Sequence, residues 1–365
     1  MEKRILILSN SLSFGGGEKI AANLFNGLCN KGLVTNIATI ENEKTYDIVN
    51  DQLWVKNPFY SVFGGGFLNN LFFTIYLIYF IKKNNIDYVI SHLFRANYIN
   101  VISSFFSKHK AIIVTHGSIK KYKDTSGFKS KINLTLITIL FKHSYKKVFL
   151  TERMKNDYVE YVGSESNFVI NNCYDLESIH SLSSVDINNC PFSHEDYFIF
   201  VGRNHEVKNT KLILEEFKRN NKNLLVIGSG FENEKRSYIC NNICFLGSVK
   251  NPYPYIKNAK ALLLSSFSEG FPNVIVEALC LKTFVISSDC RTGPREILDH
   301  STSLSKSDFI VNNNGILYSV NDLIGFKKAI IFFDRSNMIL NKSQIKSMDK
   351  YSIDSITEEY FSICS

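Results

Sequence analysis

The segment from Ala261 to Leu298 follows a pattern that few folds can accommodate. Residues 261–266 are a short apolar run and are followed by a polar, glycine-containing loop; a helical pattern then leads into a second apolar run, residues 283–289. Short apolar runs bounded by loops are typical of strands that are buried on both faces. Because strand, helix and strand alternate here, the segment predicts a βαβ unit of a parallel sheet.

The same alternation recurs through both halves of the chain. The other runs predicted as strands are residues 3–9, 33–40, 86–92, 111–117, 147–152, 167–175, 197–203, 224–230 and 243–247. A length of 365 residues exceeds the usual size of a single core. The polar, proline-containing stretch 183–196 separates the two series of strands and is the predicted linker. We therefore expect an α/β chain with two doubly wound, Rossmann-like domains, residues 1–185 and 196–345.

The predicted ligand site follows from this architecture. In open α/β sheets, ligands bind beyond the carboxyl ends of the strands. The candidate polar residues of this chain all come directly after predicted strands. We therefore expect the two domains to face each other across a cleft that contains one site.

The positive charge of the chain is uneven. Residues 1–160 contain 21 Lys and Arg against 11 Asp and Glu, whereas the whole chain has a formal charge of +8. A basic half attracts anionic lipid headgroups, diphosphates or nucleic acid. No nucleic-acid-binding motif accompanies the charge, so we do not expect a nucleic-acid partner. The eight cysteines form no C-x-x-C pair, and no leader peptide is recognisable, which predicts reduced thiols in a cytoplasmic protein.

Two apolar segments with basic ends are candidates for contact with a membrane surface. In residues 67–83 the uninterrupted apolar run is about eleven residues long, whereas a spanning helix needs about twenty. This segment is either a core helix, which we favour, or a helix that lies on a bilayer with Lys82 and Lys83 at its rim. Residues 129–147 have the same character. The pattern leaves open which of the two segments makes the contact.

Two glutamates bracket the loop and helix of the opening segment. Glu269 precedes the turn formed by Gly270, Phe271, Pro272 and Asn273, and Glu277 lies about two turns into the predicted helix. A helix N-terminus offers free N–H groups to an anionic ligand. The carboxylates, in contrast, suit the hydroxyl groups of a sugar or a ribose. A solvent-exposed helix face that carries two unrelated glutamates is the alternative interpretation.

The sequence around these glutamates, SSFSEGFPNVIVEAL followed by GPREIL, resembles the signature of retaining glycosyltransferases of the GT-B fold, family 4 of the sequence classification. In that family the pattern is E-x7-E. The resemblance implies that Glu269 binds the transferred sugar and that Glu277 accepts hydrogen bonds from the ribose. It also implies that the last helix, within residues 346–365, crosses back to the first domain.

Four other loops resemble loops of this family. VGRNHEVKN implies that Arg203 and Lys208 neutralise the donor diphosphate, and this chemistry is needed because negative charge builds up on the leaving phosphate. GSVKNPYPY implies that Ser248 and Val249 lie against the base. NNGILY, residues 313–318, resembles the loop after the donor site.

The fourth loop is FGGGEK in the first domain. It resembles the GGxE loop, in which Gly16 and Gly17 let the backbone approach a ligand. The motif G-x-G-x-x-G of dinucleotide-binding proteins is not present. His116 resembles the histidine that lies over the donor sugar, in its neutral form and not as a general base. His92 is similarly placed.

The resemblance implies a retaining transfer of a hexose or N-acetylhexosamine from a UDP-sugar, without a metal or another cofactor. The members that it resembles most extend lipid-linked saccharides for O-antigen, capsule or protein glycosylation in bacteria. The implied acceptor is an undecaprenyl-diphosphate-linked saccharide, and the implied location is peripheral, on the inner face of the cell membrane. A nucleotide-sugar epimerase, a two-domain dehydrogenase and a non-catalytic partner of the same fold are the alternatives.

Overall fold

The computed structural model describes residues 3–13, 15–120, 127–187, 190–194, 196–238, 240–336 and 347–364. The chain divides into two compact units. The first comprises Met1–Tyr174 together with Lys350–Ser365, and the second comprises Asp175–Asp349. Each unit contains a seven-stranded sheet with helices beside it.

The strands are short, and most residues of the central strands of each sheet are buried. They are β1 (Ile5–Ser9), β2 (Val34–Thr39), β3 (Trp54–Val55), β4 (Tyr88–His92), β5 (Lys110–Thr115), β6 (Lys146–Phe149), β7 (Asn167–Val169), β8 (Tyr197–Val201), β9 (Asn223–Ile227), β10 (Ile243–Gly247), β11 (Ala261–Leu264), β12 (Phe284–Ser288), β13 (Phe309–Val311) and β14 (Gly315–Tyr318).

The helices alternate with these strands. They are α1 (Gly16–Asn30), α2 (Tyr60–Phe63), α3 (Phe67–Lys83), α4 (Phe94–Ser107), α5 (Phe128–Lys142), α6 (Glu152–Val162), α7 (Leu176–Leu182), α8 (Thr210–Lys218), α9 (Glu232–Ser237), α10 (Tyr253–Lys257), α11 (Asn273–Cys280), α12 (Pro294–Ile297), α13 (Leu323–Arg335) and α14 (Ile353–Ile363).

Strand order confirms the predicted doubly wound, Rossmann-like architecture of both units. The first sheet has the order β3-β2-β1-β4-β5-β6-β7, and all its pairs are parallel. The second has the order β10-β9-β8-β11-β12-β14-β13, with β13 antiparallel to β14. In each sheet the order in which successive strands are added reverses at one point. This point lies between β1 and β4 in the first sheet and between β8 and β11 in the second. Such switch points are where ligands bind in open α/β sheets.

Helix α3 has a buried side, as predicted for a core helix, and an exposed apolar side, as predicted for a helix that lies on a bilayer. Asn69, Phe73, Leu77 and Ile81 are spaced by one turn and are buried in the core of the first unit. The opposite side is exposed, and Phe67 there is 79% exposed. Among the described residues, no helix is both long enough and apolar enough to cross a membrane.

The C-terminal segment packs on the first unit. Helix α14 contacts α1 at Gly27, where a Cβ atom would lie 2.3 Å from Cγ2 of Ile353. Backbone hydrogen bonds join the segment to Tyr174, whose N–H donates to the carbonyl of Tyr351 at 2.8 Å. The absence of a side chain at position 27 therefore allows the two helices to approach closely.

The boundary between the units lies earlier than the predicted end of the first domain at residue 185. Asp175 caps α7 by accepting a hydrogen bond from the N–H of Ser178 at 2.9 Å. Helix α7 then packs on α10 and α11 of the second unit, and the Nδ2 of Asn251 donates to the carbonyl of Leu182 at 2.8 Å. The predicted boundary misses this because a seven-residue helix before a polar stretch gives little sign of which core it joins.

Residues 313–318, interpreted as a loop, contain strand β14. Gly315–Tyr318 are fully buried and pair with both β12 and β13. The loop interpretation was wrong because a run of four apolar or glycine residues carries too weak a pattern for a strand. The predicted cleft between the two domains stays a prediction.

Candidate active site

Most of the predicted site residues lie at the carboxyl edge of the second sheet. Lys208 lies in a 3₁₀ turn, Glu206–Lys208, after β8, and Glu269 lies in the loop after β11. These strands are neighbours at the switch point of the sheet. The site is therefore at the position where ligands bind in this architecture.

The two loops at the switch point are joined by backbone and hydroxyl hydrogen bonds. The Ser265 hydroxyl lies 2.9 Å from the carbonyl oxygens of both Lys208 and Asn209 and donates to them. The N–H of Phe267 donates to the carbonyl of Val207 at 2.8 Å. The backbone that carries Lys208 is thus held in place by the loop that carries Glu269.

Lys208 and Glu269 form an ion pair across this junction. The Nζ of Lys208 lies 2.7 Å from Oε1 of Glu269, and the Ser266 hydroxyl donates to the same oxygen at 2.6 Å. The Glu269 side chain is 11% exposed and that of Lys208 is 29% exposed. The pair therefore sits at the rim of the site, with each charge held by the other and Lys208 the more exposed of the two.

Arg203 lies on the same loop as Lys208. Its backbone is fixed because Gly202 packs against Gly228, where a Cβ atom would lie 1.9 Å from the Gly202 oxygen. The N–H of Asn204 also donates to the carbonyl of Ser229 at 2.8 Å. The Arg203 side chain is exposed and makes no ion pair within the described parts of the chain.

The EGFP turn is buttressed by the loop after β12. The Thr292 hydroxyl donates to the carbonyl of Glu269. Gly293 has a φ of 99°, and a Cβ atom there would lie 2.3 Å from Cδ of Pro272. Both features require glycine at this position. The two motifs that carry the family resemblance, one with Glu269 and one with Gly293, are therefore in contact.

Helix α11 begins directly after this turn. Pro272 is its N-cap, Asn273 is its first residue, and Phe271 is 7% exposed. Glu277 lies four residues into the helix, so it is about one turn from the N-terminus and not two as predicted. The difference arises because Gly270, Phe271 and Pro272 form a loop and not the first turn of the helix.

Glu277 is linked to the loop predicted to contact the base. Its side chain is nearly buried, and the hydroxyl of Tyr253 donates to Oε1 at 3.3 Å. Tyr253 begins α10, directly after the loop that contains Ser248 and Val249. Tyr253 was not among the predicted site residues, although it belongs to the same segment as this loop. The signal that identifies it is an aromatic hydroxyl at the start of a helix that follows a strand.

Ser248 and Val249 lie at the same edge, two strands from Lys208. Ser248 is exposed and Val249 is partly exposed, in the loop after β10. The N–H of Gly228 donates to the carbonyl of Gly247 at 2.9 Å. The loops after β8, β9 and β10 are thereby connected side by side, which brings the predicted base contacts to the same edge as the cations.

The remaining predicted residues lie at the carboxyl edge of the first sheet. Gly16 and Gly17 are the first residues of α1, and a Cβ atom at Gly17 would lie 2.7 Å from Cδ2 of Leu93 and 3.5 Å from Cγ of His116. Leu93 has a φ of 75°, a region that favours glycine. Leu93, Gly17 and His116 therefore lie close together beside the switch point of this unit.

His116 is paired with His92. Its Nε2 lies 2.9 Å from Nδ1 of His92, which is fully buried. Burial lowers the pKa of His116 to about 4 and lowers the pKa of His92 well below its ordinary value. The second histidine adds to the effect on His92 because two neighbouring positive charges repel each other. Both imidazoles are neutral near pH 7, and one donates to the other.

Comparison with known proteins adds the enzyme class. Residues 195–333 match the model of the family described as Glycosyl transferases group 1. An uncharacterized glycosyltransferase of Methanocaldococcus jannaschii is 29% identical over 256 residues, 64% of this chain and 63% of that protein. The GalNAc-alpha-(1->4)-GalNAc-alpha-(1->3)-diNAcBac-PP-undecaprenol alpha-1,4-N-acetyl-D-galactosaminyltransferase of Campylobacter jejuni is 24% identical over 379 residues, 99% of this chain and 98% of that protein.

A solved structure gives the same result for the fold. Anabaena HepE in complex with UDP and glucose superposes with a TM-score of 0.72 at 13% identity and covers 99% of each chain. The chain spans slightly less than two thirds of the M. jannaschii relative. The solved structure confirms the predicted fold class, that of GT-B glycosyltransferases. The family match and the relatives confirm the predicted enzyme class, glycosyltransferase, and residues 195–333 carry the match to the group 1 family.

Substitution of Gly293 tests the contact between the two motif loops. Gly293→Ala adds a methyl group beside Pro272 and forces a non-glycine residue to adopt a positive φ. Gly247 has a φ of 75°, and a Cβ atom there would have no neighbouring atom within 4 Å, so Gly247→Ala isolates the backbone effect. We expect Gly247→Ala to cost roughly 1 kcal/mol and Gly293→Ala about 1–3 kcal/mol more. Equal melting temperatures for the two variants would contradict the contact.

The histidine pair makes the stability of the first unit depend on pH. The unfolded chain protonates these histidines near pH 6.5, whereas in the folded unit the pKa of His116 is about 4. Between these values the unfolded state binds more protons, so stability falls as the pH falls, by up to about 1.4 kcal/mol per pH unit for each group. Melting temperatures measured from pH 7 to pH 4 should decline less steeply in the variant His92→Asn/His116→Asn. The same dependence of melting temperature on pH in the variant and the wild type would contradict the lowered pKa values of this histidine pair.

Proposed function

We propose that this chain is a retaining glycosyltransferase that moves a hexose or N-acetylhexosamine from a UDP-sugar to a lipid-linked saccharide. The product would serve bacterial surface polysaccharide synthesis. The observation that carries the proposal is the ion pair of Lys208 and Glu269 at the switch point, with Arg203 on the same loop. The C. jejuni relative named above acts on an undecaprenol-linked saccharide, and HepE was crystallised with UDP and glucose.

The cations account for departure of the nucleoside diphosphate. As the bond between sugar and phosphate breaks, negative charge builds up on the leaving phosphate oxygen. Arg203 and Lys208 neutralise this charge, Arg203 with two parallel N–H groups and Lys208 as a point charge. Fixed donors aimed at developing charge lower the barrier without reorganisation of solvent. We propose that these two side chains supply the positive charge and that no metal is required.

The carboxylates account for recognition of hydroxyl groups. Glu269 binds hydroxyls of the transferred sugar and stabilises positive charge at the reacting carbon, while its bond to Lys208 holds it at the rim. Glu277, oriented by the hydroxyl of Tyr253, accepts hydrogen bonds from the ribose. The N–H groups of Gly270 to Asn273 bind sugar hydroxyls or phosphate, and Ser248 and Val249 contact the base.

The stereochemical course follows from which group takes the acceptor's proton. In the proposed mechanism the acceptor hydroxyl attacks from the face that the diphosphate leaves, and its proton passes to the leaving phosphate oxygen. The new glycosidic bond then retains the configuration of the donor. His116, neutral near pH 7, contacts sugar hydroxyls and takes no proton, and Gly16 and Gly17 let α1 approach the ligand.

Single substitutions of the ion pair test these roles. Lys208→Ala and Glu269→Ala should each lower the rate of transfer by about 10²–10³, the usual cost of losing one preorganised charge-stabilising contact. Lys211→Ala, an exposed lysine on the next helix, is the matched control and should leave the rate near that of the wild type. Melting temperatures show whether each variant is folded.

The readout is release of UDP and mass spectrometry of a lipid-linked saccharide acceptor, after a screen of UDP- and GDP-sugars for thermal stabilisation. Added chelator should leave the rate unchanged. Unchanged rates in both alanine variants would remove the site assignment. Conversion of the UDP-sugar without any acceptor would favour the epimerase instead.

A further inference from the structure

Three neighbouring helices of the first unit share an exposed apolar face. Of the 23 large hydrophobic side chains that are exposed in the described parts of the chain, 12 lie on α3, α4 and α5. The most exposed central positions include Ile75 on α3, Phe105 and Phe106 on α4, and Ile132 and Ile139 on α5. We call this surface the apolar helix face. Single exposed apolar residues are ordinary in soluble proteins, but a contiguous group is not.

The topology places these side chains on one surface. Helix α3 contacts α4, and α4 contacts α5. The three helices connect β3 to β4, β4 to β5 and β5 to β6, which all step in the same direction across the sheet. Right-handed crossovers that step in one direction lie on one side of a parallel sheet. The outer sides of α3, α4 and α5 therefore form one continuous layer.

The charges on this layer all have one sign. The 46 residues of α3, α4 and α5 contain no Asp or Glu, although a chain with 34 acidic residues in 365 would place about four in such a length. Exposed lysines lie at the C-terminal ends of all three helices: Lys82 and Lys83, Lys108, and Lys142. Because the helices run antiparallel to the strands, these lysines gather at the amino edge of the sheet.

The cationic edge continues onto the strands. Lys108 lines a pocket of about 720 Å³ together with Lys3, Arg4 and Lys110, at the start of β1 and β5. Asn85, two residues after Lys83, also lines it, and so does Asp87, whose carboxylate accepts a hydrogen bond from the backbone N–H of Arg4 at 2.9 Å. This edge is opposite to the carboxyl edge that carries Gly16, Gly17 and His116. The basic residues here are therefore separate from the predicted ligand site of the first unit.

We propose that the apolar helix face docks on an anionic lipid bilayer, with the side chains of α3, α4 and α5 in the headgroup region and the lysines at its cationic edge on lipid phosphates. Apolar and aromatic residues beside lysines are typical of surfaces that lie in the membrane interface. A second copy of the chain fits less well, since the three helices carry lysines and no carboxylate that could pair with the lysines of another copy. The choice of a bilayer rests on the lipid-linked acceptor of the proposed function.

Flotation of the 365-residue chain with vesicles tests the apolar part of the face. Vesicles of phosphatidylcholine mixed with phosphatidylglycerol should retain the protein, and vesicles of phosphatidylcholine alone should retain much less. The triple variant Ile75→Gln/Phe106→Gln/Ile139→Gln should lower the partition coefficient at least about tenfold. Val49→Gln/Val185→Gln/Ile324→Gln, at positions of 52–58% exposure elsewhere, is the matched control and should bind like the wild type.

Charge reversal tests the cationic edge. Lys82→Glu/Lys83→Glu should lower binding to the anionic vesicles at least about tenfold, whereas the exposed pair Lys257→Glu/Lys327→Glu should change it little. No binding by the wild type, or equal binding by the wild type and the two test variants, would overturn the proposal. So would a wild-type dimer in solution that the triple glutamine variant dissociates, because the face would then be a contact between two copies.

Thermal stabilisation by UDP, measured on the same proteins, keeps this proposal separate from the proposed function. Stabilisation by UDP without vesicle binding would leave the transferase proposal intact and reject the docking surface. Vesicle binding that depends on the apolar helix face, without any stabilisation by UDP, would support the docking surface and count against the transferase proposal.

Discussion

The site of the second unit depends on the junction between the loops that follow β8 and β11. Ser265 and Phe267 hold the backbone of Lys208 and its neighbours, and Lys208 in turn holds Glu269. The ion pair is mostly shielded from solvent, since the Glu269 side chain is 11% exposed and that of Lys208 is 29% exposed. Its value is positional, because the charge that would face a leaving phosphate and the charge that would face a sugar hydroxyl are fixed relative to each other before any ligand binds.

The two units place opposite electrostatic conditions at their carboxyl edges. The second unit presents charged groups, Arg203 and Lys208, near two carboxylates. The first presents the neutral pair His92 and His116, whose low pKa values follow from burial. Neutral imidazoles can exchange hydrogen bonds with hydroxyl groups and add no charge to a reaction that already separates charge. The proposed transfer of a sugar from a diphosphate to an alcohol would use both kinds of group.

The sequence predicted most of the strands because the central strands of each sheet are largely apolar runs that are followed by polar or glycine residues. It could not predict interactions between distant residues. The bond between Lys208 and Glu269 joins positions 61 residues apart, and that between Tyr253 and Glu277 joins two helices. The boundary at Tyr174 and the strands β3, β13 and β14 were missed because α7 and these strands of two to four residues are too short to show a period. The exposure of the outer side of α3 could not be predicted, since an apolar helix pattern does not distinguish a core face from an exposed one.

A crystal structure with a bound, unreactive UDP-sugar analogue tests the central claim most directly. The account predicts that Lys208 Nζ and the Arg203 guanidinium lie within hydrogen-bond distance of the diphosphate oxygens. It also predicts Glu269 on hydroxyls of the sugar and Glu277 on those of the ribose. A nucleotide that binds elsewhere, or a diphosphate that touches neither cation while Lys208 stays paired with Glu269, would contradict the account.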